Sequence, residues 1–253
     1  MRLTGKVTIV TGAAAGLGRA VALRYAREGA VVIAADTNVL NGTSLAKRIA
    51  ELGLNGVFVP TDVSREGDVQ RLVESVLTQY GHIDVLYNNA AMLPFERDSQ
   101  VQKLSVETWD WVMGINLRGP FLCSKYALPS MLERKAGSII HVSSPTGLYG
   151  CAPNLSAYSA SKAGLLGLTR AMAAAHARDG IRVNAIIPGT MDTPMNGYVL
   201  SDDVVREKLR EAIPMGRLGL PEDIEGLAVF LASDESAYCT GGIHMCDGGL
   251  TAV

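Results

Sequence analysis

Tyr158 and Lys162 stand four positions apart in a stretch whose pattern predicts a helix from about Ala157 to Arg178. Side chains at this spacing share one helix face, so the two groups are expected to be neighbours. A phenol has a pKa of about 10, and a fixed ammonium beside it would lower that value toward neutral pH. The pair could therefore serve as a general acid and base. The competing interpretation is two solvated helix residues.

Polar residues follow several apolar runs that predict buried parallel strands. Ser143 and Ser144 end the fifth run, Asn89 follows the fourth, Asp36 ends the second, and Pro188–Gly189 end the sixth. Ligands of open α/β sheets bind beyond the carboxyl ends of the strands, so these residues are expected around one site. Ser144 could hydrogen-bond a substrate oxygen there. For Asn89, bracing of neighbouring strands is an equally good interpretation.

The segment Thr11–Gly18 reads Thr-Gly-Ala-Ala-Ala-Gly-Leu-Gly and lies between an apolar run and a helical pattern. Gly12 would turn tightly, Gly16 would let a ligand approach the backbone, and Gly18 would let the helix lie close to the sheet. The N–H groups at the start of the helix would then face a pyrophosphate. A plain strand-to-helix turn is the alternative, but the flanking strand and helix are those that a dinucleotide-binding turn requires.

Asp36 lies 18 residues after Gly18, close to the spacing of the acid that binds the adenosine ribose. Its carboxylate would accept hydrogen bonds from the ribose hydroxyls and repel a 2′-phosphate. Thr37 follows, where an arginine would instead favour NADP. An acid capping the next turn is the competing interpretation, but the position at a strand end favours the ribose. The pattern predicts NAD as the cofactor.

The 253 residues, 48% of them apolar, are enough for one sizeable core. The alternation of strands and helices predicts an α/β fold with one doubly wound parallel sheet of the Rossmann type. We expect a single domain over residues 1–253, with a substrate loop at about 188–214. The net charge of −2, without a basic block, gives nucleic-acid binding no electrostatic support. No apolar run approaches the ~20 residues of a membrane span.

The N-terminus leads straight into the first predicted strand, so no signal peptide is expected. Four cysteines are scattered without a Cys-x-x-Cys pair, at Cys123, Cys151, Cys239 and Cys246. Reduced thiols in a cytoplasmic protein are the expectation, and no metal site is predicted.

These residues and their order resemble the short-chain dehydrogenase/reductase family, in particular its short single-domain members. The resemblance covers essentially the whole chain. Its motifs are Thr-Gly-x-x-x-Gly-x-Gly at Thr11–Gly18, Asp62-Val63, Asn88-Asn89-Ala90, Asn116-x-x-Gly119, Ser144, Tyr158-x-x-x-Lys162, and Pro188-Gly189 followed by Thr193.

The resemblance implies an NAD-dependent enzyme that interconverts a secondary alcohol and its ketone, assembled as a homotetramer. It implies that Tyr158 is the general acid and base, that Lys162 lowers its pKa and binds the nicotinamide ribose, and that Ser144 positions the substrate oxygen. Asn116 would hold a water that links Lys162 to a proton relay. The implied cofactor-binding residues are Gly12, Gly16, Leu17, Gly18, Asp36, Asn89, Pro188 and Gly189, with Asp62 and Val63 at the adenine and Met191 and Thr193 at the carboxamide.

Two departures from the family pattern bear on the site. Ala91 stands where the family usually has glycine, and the interval from Ser144 to Tyr158 is one residue longer than the commonest spacing. Ser143 is therefore a weaker rival for the role of Ser144. Two other functions are weighed against the dehydrogenase: a cofactor-binding scaffold or sensor without turnover, and an epimerase or dehydratase of the same superfamily.

Three sets of residues can reach the predicted site: Met92–Phe95, Pro145–Cys151, and Met195, Tyr198, Val199 and Leu200. They supply apolar surface, which predicts a mainly apolar, cyclic or bulky substrate. Packing of these segments against one another is the alternative.

Independently of the resemblance, the helix from Ala157 is apolar on most faces, so a second subunit is expected to cover one of them.

Overall fold

The computed structural model describes residues 1–150 and 152–253, and its strands form one sheet. The strands are β1 (Val7–Thr11), β2 (Val31–Asp36), β3 (Gly56–Pro60), β4 (Val85–Asn88), β5 (Gly137–Val142), β6 (Ile181–Pro188) and β7 (Ile243–Cys246). They lie in the order β3-β2-β1-β4-β5-β6-β7, and all neighbours are parallel. The predicted doubly wound parallel sheet is confirmed.

Helices cover both faces of the sheet, which is why the strands are apolar along most of their length. The helices are α1 (Gly16–Arg27), α2 (Val39–Glu51), α3 (Glu66–Tyr80), α4 (Val106–Met113), α5 (Gly119–Arg134), α6 (Ser156–His176), α7 (Gly197–Leu200), α8 (Asp203–Glu211) and α9 (Glu225–Ala232). One core packs α1, α2 and α9 on the sheet around Tyr25 and Ile49. The other packs α3, α5 and α6 around Leu72 and Met131.

The strand order reverses at β1, which lies between β2 and β4. Such a reversal opens a crevice beyond the carboxyl ends of the strands. Gly12, Asn89, Ser144 and Gly189 follow or end β1, β4, β5 and β6 and line one cavity at this edge. The sheet therefore brings together residues that are far apart in the chain.

The region from Ser105 to Arg134 is helical but interrupted. A π-helical turn at Gly114–Arg118 separates α4 from α5. Pro120 explains the interruption, because proline has no N–H to donate and its ring crowds the preceding turn. π-Turns within helices are frequent at functional sites, and this one carries Asn116.

The connection after β6 is partly ordered as helix. It contains a 3₁₀ turn at Pro194–Asn196 and the helices α7 and α8, where the sequence predicts one short helix. A bridge between Met191 and Gly219 closes its base.

Three of the cysteines, Cys123, Cys239 and Cys246, are free thiols, and Cys151 lies outside the described residues. Within residues 1–150 and 152–253, no cluster of histidine, cysteine or acidic side chains could hold a metal ion. The helices of the same ranges include none that is long and apolar enough to cross a membrane.

Candidate active site

A cavity of about 590 Å³ runs along the carboxyl edge of the sheet. Its wall brings together most of the residues singled out in the sequence: Gly12, Gly16, Leu17, Asp36, Asn89, Ser144, Tyr158, Lys162, Pro188, Gly189, Met191 and Thr193. Gly18, Asp62, Val63 and Asn116 are not part of this wall. The cavity therefore connects the glycine turn, residues Thr11–Gly18, at one end with Tyr158 and Lys162 at the other.

The glycine turn is closely packed from both sides. Gly12 has a φ of +65°, and a Cβ there would lie 2.8 Å from the Ala90 Cα. A Cβ on Gly18 would overlap the main-chain oxygen of Gly12, so only glycine lets α1 lie this close to β1. The Asn89 amide donates to the main-chain oxygens of Thr11 and Gly12, both at 3.1 Å. Asn89 thus braces the turn from β4 and also lines the cavity.

The start of α1 is suited to an anionic ligand. Ala15, at the N-cap position, offers no side-chain acceptor to the first N–H groups of the helix. Gly16 has a φ of +51°, and a Cβ there would extend to 3.6 Å from the Thr193 Cβ and narrow the cavity. A helix N-terminus lined by main chain in this way can hold a pyrophosphate. The cradle therefore fits the dinucleotide that the sequence motif predicts.

Asp36 lines the cavity at the end of β2. Its Oδ2 accepts a hydrogen bond from Ala14 N–H at 3.0 Å, and its Oδ1 accepts one from Asn38 N–H at 2.8 Å. The carboxylate therefore caps the following turn, as the competing interpretation requires, and it also faces the cavity. Its orientation is fixed from two sides by main chain.

Tyr158 and Lys162 lie side by side on α6. The Lys162 Nζ is 5.6 Å from the centroid of the Tyr158 ring and donates to the Val142 carbonyl oxygen at 2.8 Å. The lysine side chain is 2% exposed, and burial lowers the pKa of Lys162 to about 8. The ammonium is thus held next to the phenol by a strand carbonyl, in the arrangement that would stabilise a phenolate.

The two serines at the end of β5 make different hydrogen bonds. The Ser143 hydroxyl donates to the Lys162 carbonyl oxygen at 2.8 Å, so its proton is engaged in holding α6. The Ser144 Oγ accepts from the N–H of Thr146 at 3.3 Å and from its hydroxyl at 3.1 Å. These contacts leave the Ser144 proton for a ligand in the cavity. The geometry favours Ser144 over Ser143 as a donor to substrate.

Asn116 is buried and lies on the π-turn. Its Oδ1 accepts from Met92 N–H at 2.8 Å, and its Nδ2 donates to the Met92 oxygen at 2.9 Å and to Ser161 Oγ at 3.3 Å. The amide side chain is therefore engaged in joining the segment after β4 to α6. A water held by Asn116 stays a prediction.

Asp62 and Val63 follow β3 and make contacts of their own. Asp62 Oδ1 accepts from the Ser64 N–H and hydroxyl at 3.0 and 2.6 Å. Val63 is buried in the second core, where a Cβ on Gly119 would lie 2.8 Å from its Cγ2. A role for these two residues at an adenine stays a prediction.

Two residues near the site have roles that motif spacing does not show. Asp98 is buried and accepts hydrogen bonds from Ala157 N–H and Tyr158 N–H, at the start of α6. His141 is fully buried and contacts the Thr169 hydroxyl at 2.9 Å. Burial and the charge of Lys162 lower the pKa of His141 to about 3, so the imidazole is neutral. A usable signal for Asp98 is the apolar Leu155 before α6, which leaves that helix without a local cap.

Residues 12–251 match the family model described as Enoyl-(Acyl carrier protein) reductase. The chain is 44% identical to a 3-oxoacyl-acyl-carrier-protein reductase of Thermotoga maritima over 252 residues, which cover 99% of both chains. It is 40% identical to the cis-4-hydroxycyclohexanecarboxylate dehydrogenase of Sinomonas cyclohexanicum, over 98% of this chain and 97% of that one.

Two solved structures have nearly the same fold over almost the whole chain. Levodione reductase superposes with a TM-score of 0.94 at 33% identity, over 100% of both chains. A gluconate 5-dehydrogenase from Beutenbergia cavernae, described as putative NAD(P)-dependent and with NADP bound at low occupancy, gives 0.94 at 34% identity, over 99% of this chain and 98% of that one.

The family model and the relatives all cover nearly the whole chain, and the relatives are oxidoreductases. The cavity that contains the glycine turn, Tyr158 and Lys162 agrees with that class of chemistry. The protein is an oxidoreductase that belongs to the short-chain dehydrogenase/reductase family.

Proposed function

We propose that the protein interconverts a secondary alcohol and its ketone with NAD(H) as cofactor. The observation that carries the proposal is the cavity itself, whose wall has Ser144, Tyr158 and Lys162 at one end and the glycine turn with Asp36 at the other. A protein that only binds a cofactor has no need of a buried ammonium held beside a phenol.

In this mechanism, Tyr158 gives its phenolic proton to the carbonyl oxygen during reduction and takes it back during oxidation. Lys162 stabilises the phenolate that exists between these events, and Ser144 donates a hydrogen bond to the same substrate oxygen. When bound, the nicotinamide supplies or accepts the hydride. We also propose that the Lys162 ammonium binds a ribose hydroxyl of the cofactor.

NAD is proposed as the cofactor because of the charges around Asp36. Among the described residues of the cavity wall, Lys162 is the one basic side chain, and it lies at the tyrosine end. Thr37, next to Asp36 in the chain, and Ala15, in the same cavity wall, are neutral. A 2′-phosphate would meet the Asp36 carboxylate without a compensating cation. The NADP in the gluconate 5-dehydrogenase structure is a property of that protein.

The test of this part is the ratio of kcat/KM values for NAD and NADP with one alcohol. We expect NAD to be preferred by roughly tenfold or more, because like charges in contact cost at least the ~1.4 kcal/mol of a tenfold effect. An equal or higher value for NADP would refute the cofactor proposal. Binding of NADH without turnover of any alcohol or ketone would instead support the scaffold alternative.

The substrate is proposed to be neutral and mainly apolar. Leu93, Phe95, Tyr149, Val199 and Leu200 contribute to the wall around Tyr158. Arg97, next to this wall, lies over the Trp111 ring at 4.6 Å and is half exposed, so its charge faces the protein surface. A carboxylate or an acyl-carrier chain would find no cation in the wall besides Lys162, as far as the structure describes it.

A panel of substrates tests this choice. We expect higher kcat/KM for neutral cyclic alcohols and ketones than for polyols, hydroxy acids or 3-oxoacyl thioesters. The relatives include enzymes named for a cyclic hydroxy acid and for an acyl-carrier substrate, so both belong in the panel. A preference for the charged set would reject the pocket assignment and leave the dehydrogenase assignment intact.

The protein is proposed to be a cytoplasmic homotetramer. An open groove of about 660 Å³ lies between the α4–α5 region and α6. Gly164, Gly167 and Leu168 of α6 line it together with Phe121, which is 47% exposed. Apolar surface of this kind is typical of a contact between subunits. Light scattering at micromolar concentration should give the mass of four chains, and a monomeric mass would contradict the proposal.

A further inference from the structure

The helix that carries Tyr158 has no cap in its own sequence. α6 begins at Ser156 after Leu155, whose side chain cannot accept a hydrogen bond. The first N–H groups of a helix find no acceptor within the helix and need one from elsewhere. In this protein the acceptor comes from Asp98, 59 residues before Ala157 in the chain.

The Asp98 carboxylate accepts three main-chain hydrogen bonds. Its Oδ1 accepts from Ser99 N–H at 2.8 Å and from Ala157 N–H at 3.1 Å. Its Oδ2 accepts from Tyr158 N–H at 2.9 Å. The side chain is 4% exposed. A negative charge is favourable at this end of a helix, because the unpaired N–H groups make it electropositive.

Asp98 ends a segment that is tied to Tyr158 at its other end as well. We call residues Met92–Asp98 the strap. Asn116 bonds both main-chain groups of Met92 and donates to Ser161 Oγ, and the Ser161 hydroxyl donates to the Tyr158 carbonyl oxygen at 2.7 Å. The N–H and the C=O of Tyr158 are thus both linked to the strap.

The strap also forms part of the cavity wall. Leu93 and Phe95 line the cavity between the two attachments. The same short segment therefore fixes a wall of the substrate pocket and the main chain of the residue that carries the phenol.

We propose that Asp98 is a positioning residue that sets the place of the Tyr158 phenol relative to the pocket wall. The proposal rests on the proposed function, in which Tyr158 transfers the proton. A displacement of about 1 Å in a reacting group can lower the rate by ~10²-fold. Loss of the Asp98 bond should therefore lower kcat more than it changes cofactor binding.

The Asp98→Asn variant isolates one of the three bonds. The remaining oxygen can still accept from Ser99 and Ala157 N–H, as Oδ1 does, whereas the new NH₂ group would face the Tyr158 N–H as a second donor. We expect kcat to fall roughly 10- to 100-fold with the Kd for NADH unchanged. Asp98→Glu keeps both oxygens but displaces them by one methylene, and we expect a smaller loss.

Ser105→Ala is the matched control. Ser105 caps α4 by accepting from Thr108 N–H at 3.1 Å, and α4 carries none of the proposed reacting groups. We expect this variant to lower the melting temperature and to keep the wild-type kcat. An equal loss of kcat in Ser105→Ala, or an unchanged kcat in Asp98→Asn, would overturn the proposal.

Amide hydrogen exchange of α6 provides a measurement that does not depend on turnover. The Tyr158 amide should exchange faster in Asp98→Asn than in wild type, and Ser105→Ala should leave it unchanged. If Asp98→Asn does not fold, Asp98→Glu is compared by the same measurement, and wild-type exchange at Tyr158 would overturn the proposal. If wild type shows no NAD(H)-dependent turnover, the proposed function fails, and the exchange data still decide whether Asp98 holds Tyr158.

Discussion

The two ends of the cavity are built in different ways. The glycine-turn end, with Thr11–Gly18, Asp36 and Asn89, consists largely of main chain and is held by hydrogen bonds within 3.1 Å. The strap end consists of side chains from loops after β4, β5 and β6, and remote contacts hold it, such as the stack of Phe95 on Tyr198 at 6.2 Å. We expect that any atom added to the glycine-turn end weakens cofactor binding or stability. At the strap end, we expect that substitutions leave the protein folded and change which substrate it prefers.

Tyr158→Phe should have the largest effect and separate the two ends most clearly. The variant lacks the proposed proton carrier, and positioned acid–base catalysis typically contributes ~10²- to 10⁴-fold. We expect turnover to fall by this factor while NADH binding, a property of the glycine-turn end, is retained. Stopped-flow kinetics and fluorescence titration measure the two quantities, and near-normal turnover would refute the mechanism.

Ser144→Ala and Ser143→Ala form a matched pair at the strap end. Loss of a hydrogen-bond donor to a reacting oxygen costs ~10²-fold in kcat, which we expect for Ser144→Ala. Ser143 donates to the Lys162 carbonyl oxygen. Ser143→Ala should therefore lower the melting temperature and change kcat less than Ser144→Ala does. The reverse order of kcat values would show that Ser143, rather than Ser144, donates to the substrate oxygen.

Gly18→Ala tests the close packing of the glycine-turn end. The new Cβ would overlap the Gly12 oxygen, and overpacking of this kind costs about 1–3 kcal/mol. We expect weaker NADH binding and a lower melting temperature. The control is Gly226→Ala in α9, where a Cβ would meet nothing within 4 Å. We expect Gly226→Ala to leave the melting temperature unchanged or to raise it. The same result for Gly18→Ala would contradict the close packing of the glycine-turn end.

Lys162→Met should raise the free energy of unfolding by about 2–3 kcal/mol near pH 7 while removing activity. Burial lowers the pKa of Lys162 from 10.5 to about 8. Each pKa unit corresponds to about 1.4 kcal/mol, and the lost bond to the Val142 carbonyl offsets about 1 kcal/mol. The net change should therefore stabilise the variant.

The pH dependence gives the sign of the lysine effect. Below about pH 8 the lysine is charged in both states, and the whole penalty for burying the charge is present. Between about pH 8 and pH 10.5 the folded protein binds fewer protons than the unfolded chain, so wild type gains stability as the pH rises. We expect the difference in the free energy of unfolding between Lys162→Met and wild type, measured by urea unfolding, to decrease over this pH range. A difference that grows with pH would contradict the burial penalty.

Phe95→Ala should have the smallest effect. It removes the stack on Tyr198, worth about 1 kcal/mol, and widens the wall of the cavity. We expect KM for a compact cyclic ketone to rise about fivefold, with NADH binding unchanged. Val101→Ala is the control, since Val101 is 77% exposed on the following loop. Equal KM values for both variants would show that the stack does not shape the pocket.

The glycine-turn end could be predicted from sequence because its parts are local. Thr11–Gly18 is one strand, one turn and one helix start, and each glycine has a steric reason that spacing reveals. The strand ends followed from periodicity, and the parallel sheet then gathered them at one edge. The Tyr158–Lys162 pair could also be predicted, because the two residues stand four positions apart on one helix and share one of its faces.

The contacts that hold the strap end could not be predicted, because they join segments that are far apart in the chain. Asp98 lies in a polar loop without periodicity, and its partners in α6 lie 59 and 60 residues later. The amide of Asn116 bonds Met92 and Ser161. Pro120 indicates that the helix is interrupted here, but it does not indicate which partners the π-turn gives Asn116. Asp62 and Val63 follow the motif but point to partners of their own, Ser64 and the core beside Gly119.

Asp36 has a consequence for how this scaffold could change its cofactor. Its carboxylate occupies two main-chain donors, Ala14 N–H and Asn38 N–H. Removal of that side chain would free both donors, and main-chain N–H groups arranged in this way attract anions. In the proposed cofactor assignment, this is the place that a 2′-phosphate would take. On that proposal, replacement of the single side chain Asp36 would change the cofactor preference while the main chain that surrounds it stays the same.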